Sequence, residues 1–598
     1  MASTLGLTLR AWQRRYQQDP RQIGPLLAAH LAAIDEQDNA WLYLASPAQL
    51  QEQIAPLLAR YQRDPAALPL FGVPFAVKDN IDVAGWPTTA ACPAFAYTAE
   101  RDAEVVARLK AAGAVAIGKT NLDQFATGLV GTRSPYGAVK NTFHPDYVSG
   151  GSSSGSASVL ARGLVAFSLG TDTAGSGRVP AGFNNIVGLK PTKGWLSARG
   201  VVPACRLNDT VSVFALTVED AFAVAAAAGG YDAEDAYSRR PPRTAPADMK
   251  AQPDFAIPAD PDFFGDRLAE AAWHRALEHL TQSGATLHPI DFAPFHQLAE
   301  QLYSGPWVAE RTAAVGEMLT RPEEMDPVVF SIISNGRKYS AVEAYQAEYL
   351  RADLARRIQQ VLAPFDALVV PTSPTIRTRQ EITQEPVRYN SQFGSYTNFT
   401  NLADLAALAL PGPFRDDGLP AGITLIAPAW HDRALAAFGL RWQRQLALPL
   451  GATGQACPED RSALPPSVEH VRVAVVGAHL TGMPLNHQLT TRQAVLIEET
   501  QTAGEYRLFA LPDGPIKKPG LLRAANGAAI AVELWDIPLA RFGEFVAEIP
   551  APLGIGSLTL ADGRVVKGFI CEPAALEHAL EITEFGGWRS WLATQRSE

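Results

Sequence analysis

The chain has 598 residues, of which 47% are hydrophobic and 19% charged, and its net charge is −10. This is the composition of a globular protein with room for more than one core. The negative charge argues against general nucleic-acid binding, and no apolar run is long enough for a transmembrane helix. The four cysteines have neither metal-site nor disulfide spacing, which indicates a reducing cytoplasm.

The first part of the chain predicts helices and then a buried strand. Apolar residues recur at helical spacing within residues 3–60. Residues 73–77 are apolar and predict a strand that presents Lys78 at its end. Burial disfavours the charged form of a lysine, so Lys78 could act there as a base. The alternative is a structural ion pair of Lys78 with Asp79 or Asp82.

Residues 113–120 match the phosphate-loop pattern G-x-x-x-x-G-K-T letter for letter. A phosphate loop follows a strand and is flexible between its glycines. Here a helix, predicted to be capped by Asp102, comes before the motif, and residues 114–117 predict a strand within it. The pattern therefore does not favour an ATPase.

Residues 148–191 contain two Gly/Ser-rich turns with a predicted helix and a predicted strand, residues 164–169, between them. The glycines of the second turn allow several backbone N–H groups to face one point, as an oxyanion hole requires. Ser176 ends this turn, where its hydroxyl could attack a bound carbonyl. The stretch predicts a serine hydrolase acting on amides. A flexible linker, a nucleophile elbow and a phosphate loop are the weaker alternatives.

The segments GGSSSGSA (150–157) and GTDTAGSGRVPA (170–181) resemble the two motifs of the amidase signature family of serine hydrolases. The resemblance implies an α/β fold with a mixed, mostly parallel sheet covered by helices. It implies a triad of Ser176 as nucleophile, Ser152 as bridging cis-serine and Lys78 as base, without a metal or an organic cofactor. The oxyanion hole would be formed by the N–H groups of Thr173, Ala174, Gly175 and Ser176.

The remaining elements of this domain alternate between helices and strands. Thr217 predicts the N-cap of a helix, and residues 375–400 are polar and predict irregular structure. Asp404 stands where the family commonly has a glycine, which affects the fine shape of the pocket. Further helices are predicted at 269–283, 342–362 and 432–446, and further strands at 366–370 and 422–427.

Residues 302–311 concern the substrate. Tyr303 and Arg311 are eight residues apart, so on one helix they would share a face. A guanidinium and a hydroxyl can bind a small amide that carries a carboxylate, although on spacing alone a surface arginine paired with Glu310 is the alternative. The segment resembles the specificity motif of allophanate hydrolases. That resemblance implies that Tyr303 and Arg311 bind the carboxylate of allophanate (N-carboxyurea) and that Gly128 contacts it through its backbone.

Residues 456–467 predict a linker between a domain at 1–455 and a C-terminal domain at 468–598. Four predicted strands indicate that the second domain is smaller and α+β. It resembles the C-terminal domain of allophanate hydrolases, a relative of the γ-glutamylcyclotransferase-like fold. The resemblance implies decarboxylation of the N-carboxycarbamate released by the first domain, with a loop histidine as catalyst. The candidate is His487, its rival is His479, and carboxylates could be bound by Asn486 and Arg523.

Two hypotheses from different classes follow. In the first, the chain resembles a cytoplasmic, homodimeric allophanate hydrolase that completes biotin-dependent urea degradation and is functionally linked to a urea carboxylase. In the second, the amidase acts on another amide, such as malonamate, a fatty amide or a glutaminyl group, and the C-terminal domain is a non-catalytic binding or dimerisation module.

Overall fold

The computed structural model describes residues 4–17, 19–35, 37–242, 245–250, 252–458, 470–512, 514 and 516–595. The chain divides into two compact units, residues 1–240 with 254–461 and residues 241–253 with 462–598. Most of the predicted linker lies outside the described residues. None of the helices among the described residues has both the length and the apolar character needed to cross a membrane.

The first unit contains a large sheet with helices on its faces. Its helices are α1 (Leu9–Gln17), α2 (Ile23–Ala32), α3 (Pro47–Arg63), α4 (Glu104–Ala111), α5 (Ser154–Ala161), α6 (Val179–Phe183), α7 (Val218–Ala228), α8 (Arg267–Gln282), α9 (Ala293–Ser304), α10 (Val308–Val315), α11 (Pro327–Ser334), α12 (Ala341–Leu362), α13 (Arg379–Gln384), α14 (Arg388–Phe393), α15 (Phe399–Leu402) and α16 (Asp432–Leu446). Its strands are β1 (Trp41–Leu44), β2 (Pro74–Lys78), β3 (Pro87–Thr88), β4 (Tyr97–Thr98), β5 (Val115–Thr120), β6 (Phe167–Asp172), β7 (Val187–Lys190), β8 (Thr210–Ala215), β9 (Asp254–Pro258), β10 (Thr286–Ile290), β11 (Ala367–Pro371), β12 (Leu405–Pro411) and β13 (Gly422–Pro428).

Eleven of these strands form one mixed sheet in the order β1-β5-β2-β6-β8-β7-β12-β13-β11-β9-β10. The predicted α/β fold with a mixed sheet is confirmed, but the predicted preponderance of parallel pairs is wrong. Among the described strands, β2 pairs in parallel with β5 and β6, and β9 with β10 and β11. The other six neighbouring pairs are antiparallel. Parallel pairing arises where a helix crosses over between strands, as α4 does between β2 and β5.

Several elements begin or end differently from the prediction. Asp102 does not cap α4, because its carboxylate binds Lys110 at 2.8 Å instead. The polar residues 375–400 are not irregular, since α13 and α14 lie within them and α15 begins at Phe399. Thr217 does cap α7, accepting the N–H of Asp220 at 3.2 Å. A capping side chain is only a local preference, so it holds at Thr217 but is lost at Asp102, where a lysine competes for the carboxylate.

The second unit contains a five-stranded sheet, β15-β18-β14-β20-β19, and a three-stranded sheet, β17-β16-β21. This confirms a smaller C-terminal α+β domain; its likeness to the γ-glutamylcyclotransferase-like fold stays a prediction. The strands are β14 (His470–Val475), β15 (Val495–Gln501), β16 (Tyr506–Ala510), β17 (Pro519–Arg523), β18 (Ala531–Pro538), β19 (Leu553–Thr559), β20 (Val565–Cys571) and β21 (Leu580–Glu581). The helices are α17 (His487–Thr490), α18 (Leu539–Ala547) and α19 (Trp588–Thr594).

Candidate active site

Lys78 lies at the carboxyl end of β2, beside the carboxyl end of β6. Since β2 and β6 are parallel neighbours, their ends meet at the same edge of the sheet, which is where α/β proteins place their sites. The Lys78 side chain is fully buried. Its Nζ donates to Ser152 Oγ at 2.7 Å and to Thr171 Oγ1 at 2.7 Å.

Burial lowers the pKa of Lys78 to about 7, and neighbouring carboxylates oppose this shift. An ammonium without water around it loses its hydration, so the neutral amine becomes accessible near neutral pH. The opposing carboxylates are those of Asp123, Asp172 and Asp209. A neutral Lys78 can therefore accept a proton from Ser152.

The sequence left open a structural ion pair between Lys78 and Asp79, but Asp79 pairs with Lys119 instead. Asp79 pairs with Lys119 at 3.1 Å, and both side chains are fully buried. Lys119 also donates to Thr88 Oγ1 at 3.0 Å. It is the lysine of the phosphate-loop pattern, and it lies inside strand β5. Lys78 instead donates hydrogen bonds to Ser152 and Thr171.

Ser152 precedes helix α5, and the peptide bond between Gly151 and Ser152 is cis. The carbonyl of Ser152 accepts the Asp123 N–H at 3.1 Å. Ser176 lies in the loop after β6, is buried, and its hydroxyl is 3.5 Å from the carbonyl oxygen of Gly128. The structure therefore connects Lys78 to Ser152 by a hydrogen bond and connects Ser176 to the Gly128 segment.

The loop between β6 and α6 is organised around the carboxylate of Asp172. Its two oxygens accept the Gly175 N–H at 3.0 Å and the Gly177 N–H at 2.9 Å. Arg178 binds the same carboxylate through Nε and Nη2, both at 2.9 Å, and the pair is fully buried. Burial alone would raise the pKa of Asp172, but the Arg178 guanidinium lowers it. Asp172 therefore stays charged and fixes the loop.

One donor of the predicted oxyanion hole faces elsewhere. The Gly175 N–H points to Asp172, so in this structure it is not directed at a substrate oxygen. Gly175 has φ +134°, and a Cβ there would lie 2.4 Å from Thr397 Oγ1. Within the described part of the chain, no acceptor is bound by the N–H groups of Thr173, Ala174 and Ser176.

The carboxylate of Asp123 holds the conformation of the segment that contains Gly128. Asp123 Oδ2 accepts the N–H groups of Val130 and Gly131 at 3.1 Å and 3.0 Å, which closes the segment into a tight turn. Gly128 has φ +154°, and a Cβ there would lie 2.7 Å from Asp123 Oδ2. Only glycine allows this close approach of backbone and carboxylate.

Tyr303 and Arg311 lie on different helices, so the prediction of a shared helix face is wrong. Helix α9 ends at Ser304 and α10 begins at Val308, because Pro306 cannot continue the first helix. The two side chains nevertheless meet: Arg311 donates to Tyr303 Oη at 3.0 Å. Arg311 also donates to Thr127 Oγ1 at 2.9 Å and is only 1% exposed, so it is not the surface arginine of the alternative.

Three polar residues of the site did not emerge from sequence reasoning. Thr171 accepts from Lys78, Thr127 accepts from Arg311, and Asp209 accepts the Thr173 hydroxyl at 2.5 Å. Thr171 and Thr127 are each one residue from a position that was identified, Asp172 of the motif and Gly128. Their side-chain type gave no signal, because threonine is common on buried strands and loops.

The second unit has a cavity of about 110 Å³ next to the loop after β14. It is lined by His479, Gln488 and Lys518 among others, but not by His487, Asn486 or Arg523. His487 is exposed, and its Nδ1 is 2.9 Å from the carbonyl oxygen of Pro484. The placement therefore favours His479 over His487 as the histidine of a site in this unit.

His479 is held in place from two sides. Its ring stacks on Phe569 with centroids 4.8 Å apart, and its Nε2 is 2.8 Å from Gln488 Oε1. Burial lowers the pKa of His479, so the ring is neutral near pH 7. With Nε2–H donated to Gln488, the lone pair of Nδ1 is the basic atom. Asn486 donates to the His479 carbonyl, and Arg523 pairs with Glu505.

Two family models match this chain. The model described as Amidase matches residues 26–436, and the model described as Allophanate hydrolase C-terminal domain matches residues 471–593. Together they cover both units that the structure separates.

Individual relatives agree. A urea amidolyase of Saccharomyces cerevisiae is 44% identical over 98% of this chain and 33% of its own length. A second urea amidolyase, from Lachancea kluyveri, is 45% identical over 94% of this chain and 32% of its own length. The chain therefore spans about one third of the length of the curated urea amidolyases that it matches. A solved structure of Kluyveromyces lactis allophanate hydrolase superposes with a TM-score of 0.87 and 44% identity, over 99% of this chain and 100% of that one.

Proposed function

The chain belongs to the amidase family, and from this premise we propose that it hydrolyses allophanate. The observation that carries the choice of substrate is the position of Arg311. The guanidinium of Arg311 is buried and donates a hydrogen bond to Thr127. The next residue, Gly128, has its carbonyl oxygen 3.5 Å from Ser176 Oγ. A carboxylate bound by Arg311 would therefore place a nearby amide carbon of the same small molecule at the nucleophile.

The first step uses the two serines and the lysine. Neutral Lys78 takes a proton from Ser152, which takes one from Ser176, and Ser176 Oγ attacks the terminal amide carbon of allophanate. The N–H groups of Thr173, Ala174 and Ser176 stabilise the oxyanion. The proton returns through Ser152 to the departing nitrogen, which leaves as ammonia. Water then cleaves the acyl-enzyme and releases N-carboxycarbamate.

Kinetics on single variants test this step. Ser176→Ala removes the nucleophile and should abolish ammonia release from allophanate. Arg311→Met should mainly raise KM, because it removes the group that binds the carboxylate and leaves the triad in place. Equal kinetic constants for Arg311→Met and the unaltered protein would contradict the proposed binding of the carboxylate. Turnover of malonamate with no turnover of allophanate would favour the alternative substrate.

We further propose that the second unit decarboxylates N-carboxycarbamate. Loss of one carbon dioxide from this dianion leaves carbamate once the nitrogen takes up a proton, and carbamate then breaks down to ammonia and carbon dioxide. The cavity beside His479 supports the proposal, because it offers a neutral imidazole and the ammonium of Lys518 to a small dianion. The geometry favours His479 as the proton-handling group; His487 remains the sequence-based candidate.

Matched histidine variants in the full chain separate the two candidates. His479→Asn should leave the first ammonia release unchanged and slow carbon dioxide release, whereas His487→Asn should slow neither. The reverse pattern would assign the step to His487. If both variants release carbon dioxide at the unaltered rate, the second unit does not catalyse decarboxylation and its role as a binding module gains support.

We also propose that the protein acts in the cytoplasm, downstream of a urea carboxylase that produces allophanate. The four cysteines are free thiols, which suits a reducing compartment. The link to the carboxylase rests on the urea amidolyases, of which this chain matches one third. Ammonia production from urea by this protein together with a biotin-dependent urea carboxylase, and by neither alone, would test that link.

A homodimer is the proposed assembly, with helix α12 as its contact. Val342, Tyr345 and Tyr349 follow one face of this helix and are each about two-thirds exposed. A two-fold pair of α12 helices would cover the exposed apolar side chains of both copies at once. A double change of Tyr345 and Tyr349 to Glu should give monomers in sedimentation equilibrium, while Val565→Glu, at an equally exposed site, should not. Dimers in both variants would reject this face.

A further inference from the structure

The helix that carries Arg311 presents two buried nitrogen donors without acceptors. Among the described residues, Trp307 Nε1 and Arg311 Nε are buried and have no hydrogen-bond partner. Trp307 is 8% exposed and Arg311 1%. An unsatisfied buried N–H destabilises a folded protein, so two such groups close together call for a ligand that satisfies both.

The two donors lie on the same side of helix α10. Trp307 is the residue just before Val308 and has helical backbone angles, φ −60° and ψ −20°. Residues four apart on a helix project from one face, one turn apart. The spacing of Trp307 and Arg311 therefore places them on one face of α10, and both side chains are buried.

Both residues are linked to elements of the candidate active site. Arg311 uses Nη1 and Nη2 for Thr127 and Tyr303, which fixes the plane of its guanidinium and leaves Nε–H unused. Trp307 is part of the apolar cluster that contains Ala174, a residue of the loop that carries Ser176. Tyr303 packs against the same cluster. The indole of Trp307 therefore belongs to the same apolar cluster as Ala174, and Tyr303, which hydrogen-bonds Arg311, packs against that cluster.

We propose that Trp307 is a substrate-binding residue whose indole N–H, together with Arg311 Nε–H, binds the carboxylate of the substrate. This inference rests on the proposed function and extends it to a third specificity group. A carboxylate has two oxygens, and each can accept one of the two donors. The apolar ring would exclude water from the bound carboxylate, which strengthens both hydrogen bonds.

The substitution Trp307→Phe tests the hydrogen bond, since it keeps a large aromatic ring and removes the N–H. A hydrogen bond to a charged acceptor stabilises a complex more than a neutral one does. Its loss should therefore lower kcat/KM for allophanate about tenfold or more, mainly by raising KM. Malonate, a stable dicarboxylate, serves as the binding probe. We expect malonate to raise the Tm of the unaltered protein and to raise the Tm of the variant less.

Trp41→Phe is the matched control. Trp41 Nε1 is also buried without an acceptor, but it lies on the edge strand β1. This change should leave KM and the malonate effect as they are in the unaltered protein. In the absence of ligand, the Tm of Trp307→Phe should be equal to or above that of the unaltered protein, because an unsatisfied donor has been removed.

The outcomes separate the inference from the proposed function. If Trp307→Phe keeps the KM and the malonate effect while Arg311→Met loses both, the role of Trp307 is refuted and the substrate site stands. If Trp307→Phe lowers kcat and the ligand-free Tm with KM unchanged, Trp307 is structural and the inference is also refuted. If Arg311→Met keeps both properties, the proposed substrate site itself is wrong.

Discussion

The pH dependence of Ser176 reactivity follows from the environment of Lys78. In the proposed mechanism only a neutral Lys78 can accept the proton that Ser176 loses through Ser152, and burial lowers the pKa of Lys78 to about 7. At the ordinary lysine pKa of about 10.4, roughly one lysine in a thousand would be neutral at pH 7.5, so burial raises the reactive fraction by almost three orders of magnitude. Because the neutral form is the active one, reactivity should rise with pH and level off above the pKa.

The assay is the rate of Ser176 inactivation by methanesulfonyl fluoride between pH 5 and pH 9, which does not depend on the identity of the substrate. The rate at pH 6 should be about one tenth of the plateau and at pH 5 about one hundredth. Ser176→Ala is the control and should not be labelled. A rate that stays constant over this range, or that still increases tenfold per unit at pH 9, would refute the role of Lys78 as a buried base.

Three further predictions concern the residues that support the site. Asp172→Asn leaves the buried Arg178 without its counter-charge and should lower the free energy of unfolding in urea by about 3–5 kcal/mol; a loss under about 1 kcal/mol would mean that the pair does not hold the loop. Thr127→Val removes an acceptor from Arg311 and should raise KM for allophanate several-fold without changing the pH profile above, and an unchanged KM would contradict this. Asp404 has φ +55°, a left-handed backbone conformation that is less strained for glycine than for aspartate. Asp404→Gly should therefore change the free energy of unfolding by less than about 1 kcal/mol and leave kcat unaltered. A large loss of kcat would mean that Asp404 shapes the pocket.

The sequence predicted the candidate-site residues that lie in Gly/Ser-rich turns or at the end of an apolar run. Lys78, Ser152 and Ser176 fall into this class, because local patterns determine where a buried strand ends and where the backbone turns. The prediction for Gly175 failed for a reason that spacing does not contain. Asp172 folds back on its own loop and takes the Gly175 N–H, and such a contact depends on the three-dimensional path of the loop.

The pair of Tyr303 and Arg311 shows in another way what residue spacing does not predict. Their spacing of eight residues suggested one helix, but Pro306 between them ends the helix, and the side chains meet across the break. The pairing was right and its geometric reason was wrong. The preponderance of parallel strands also failed, since strand order is set by long-range crossovers that a local pattern does not record.

The product balance of allophanate with the intact chain decides whether the protein hydrolyses and then decarboxylates this substrate. Carbon-13 and nitrogen-15 NMR on doubly labelled allophanate would follow each carbon and nitrogen over time. We expect one ammonia and a transient N-carboxycarbamate first, and a total of two ammonia and two inorganic carbon per allophanate at the end, with no labelled ammonia from Ser176→Ala. An intact protein that releases ammonia from other amides but leaves labelled allophanate untouched would contradict it.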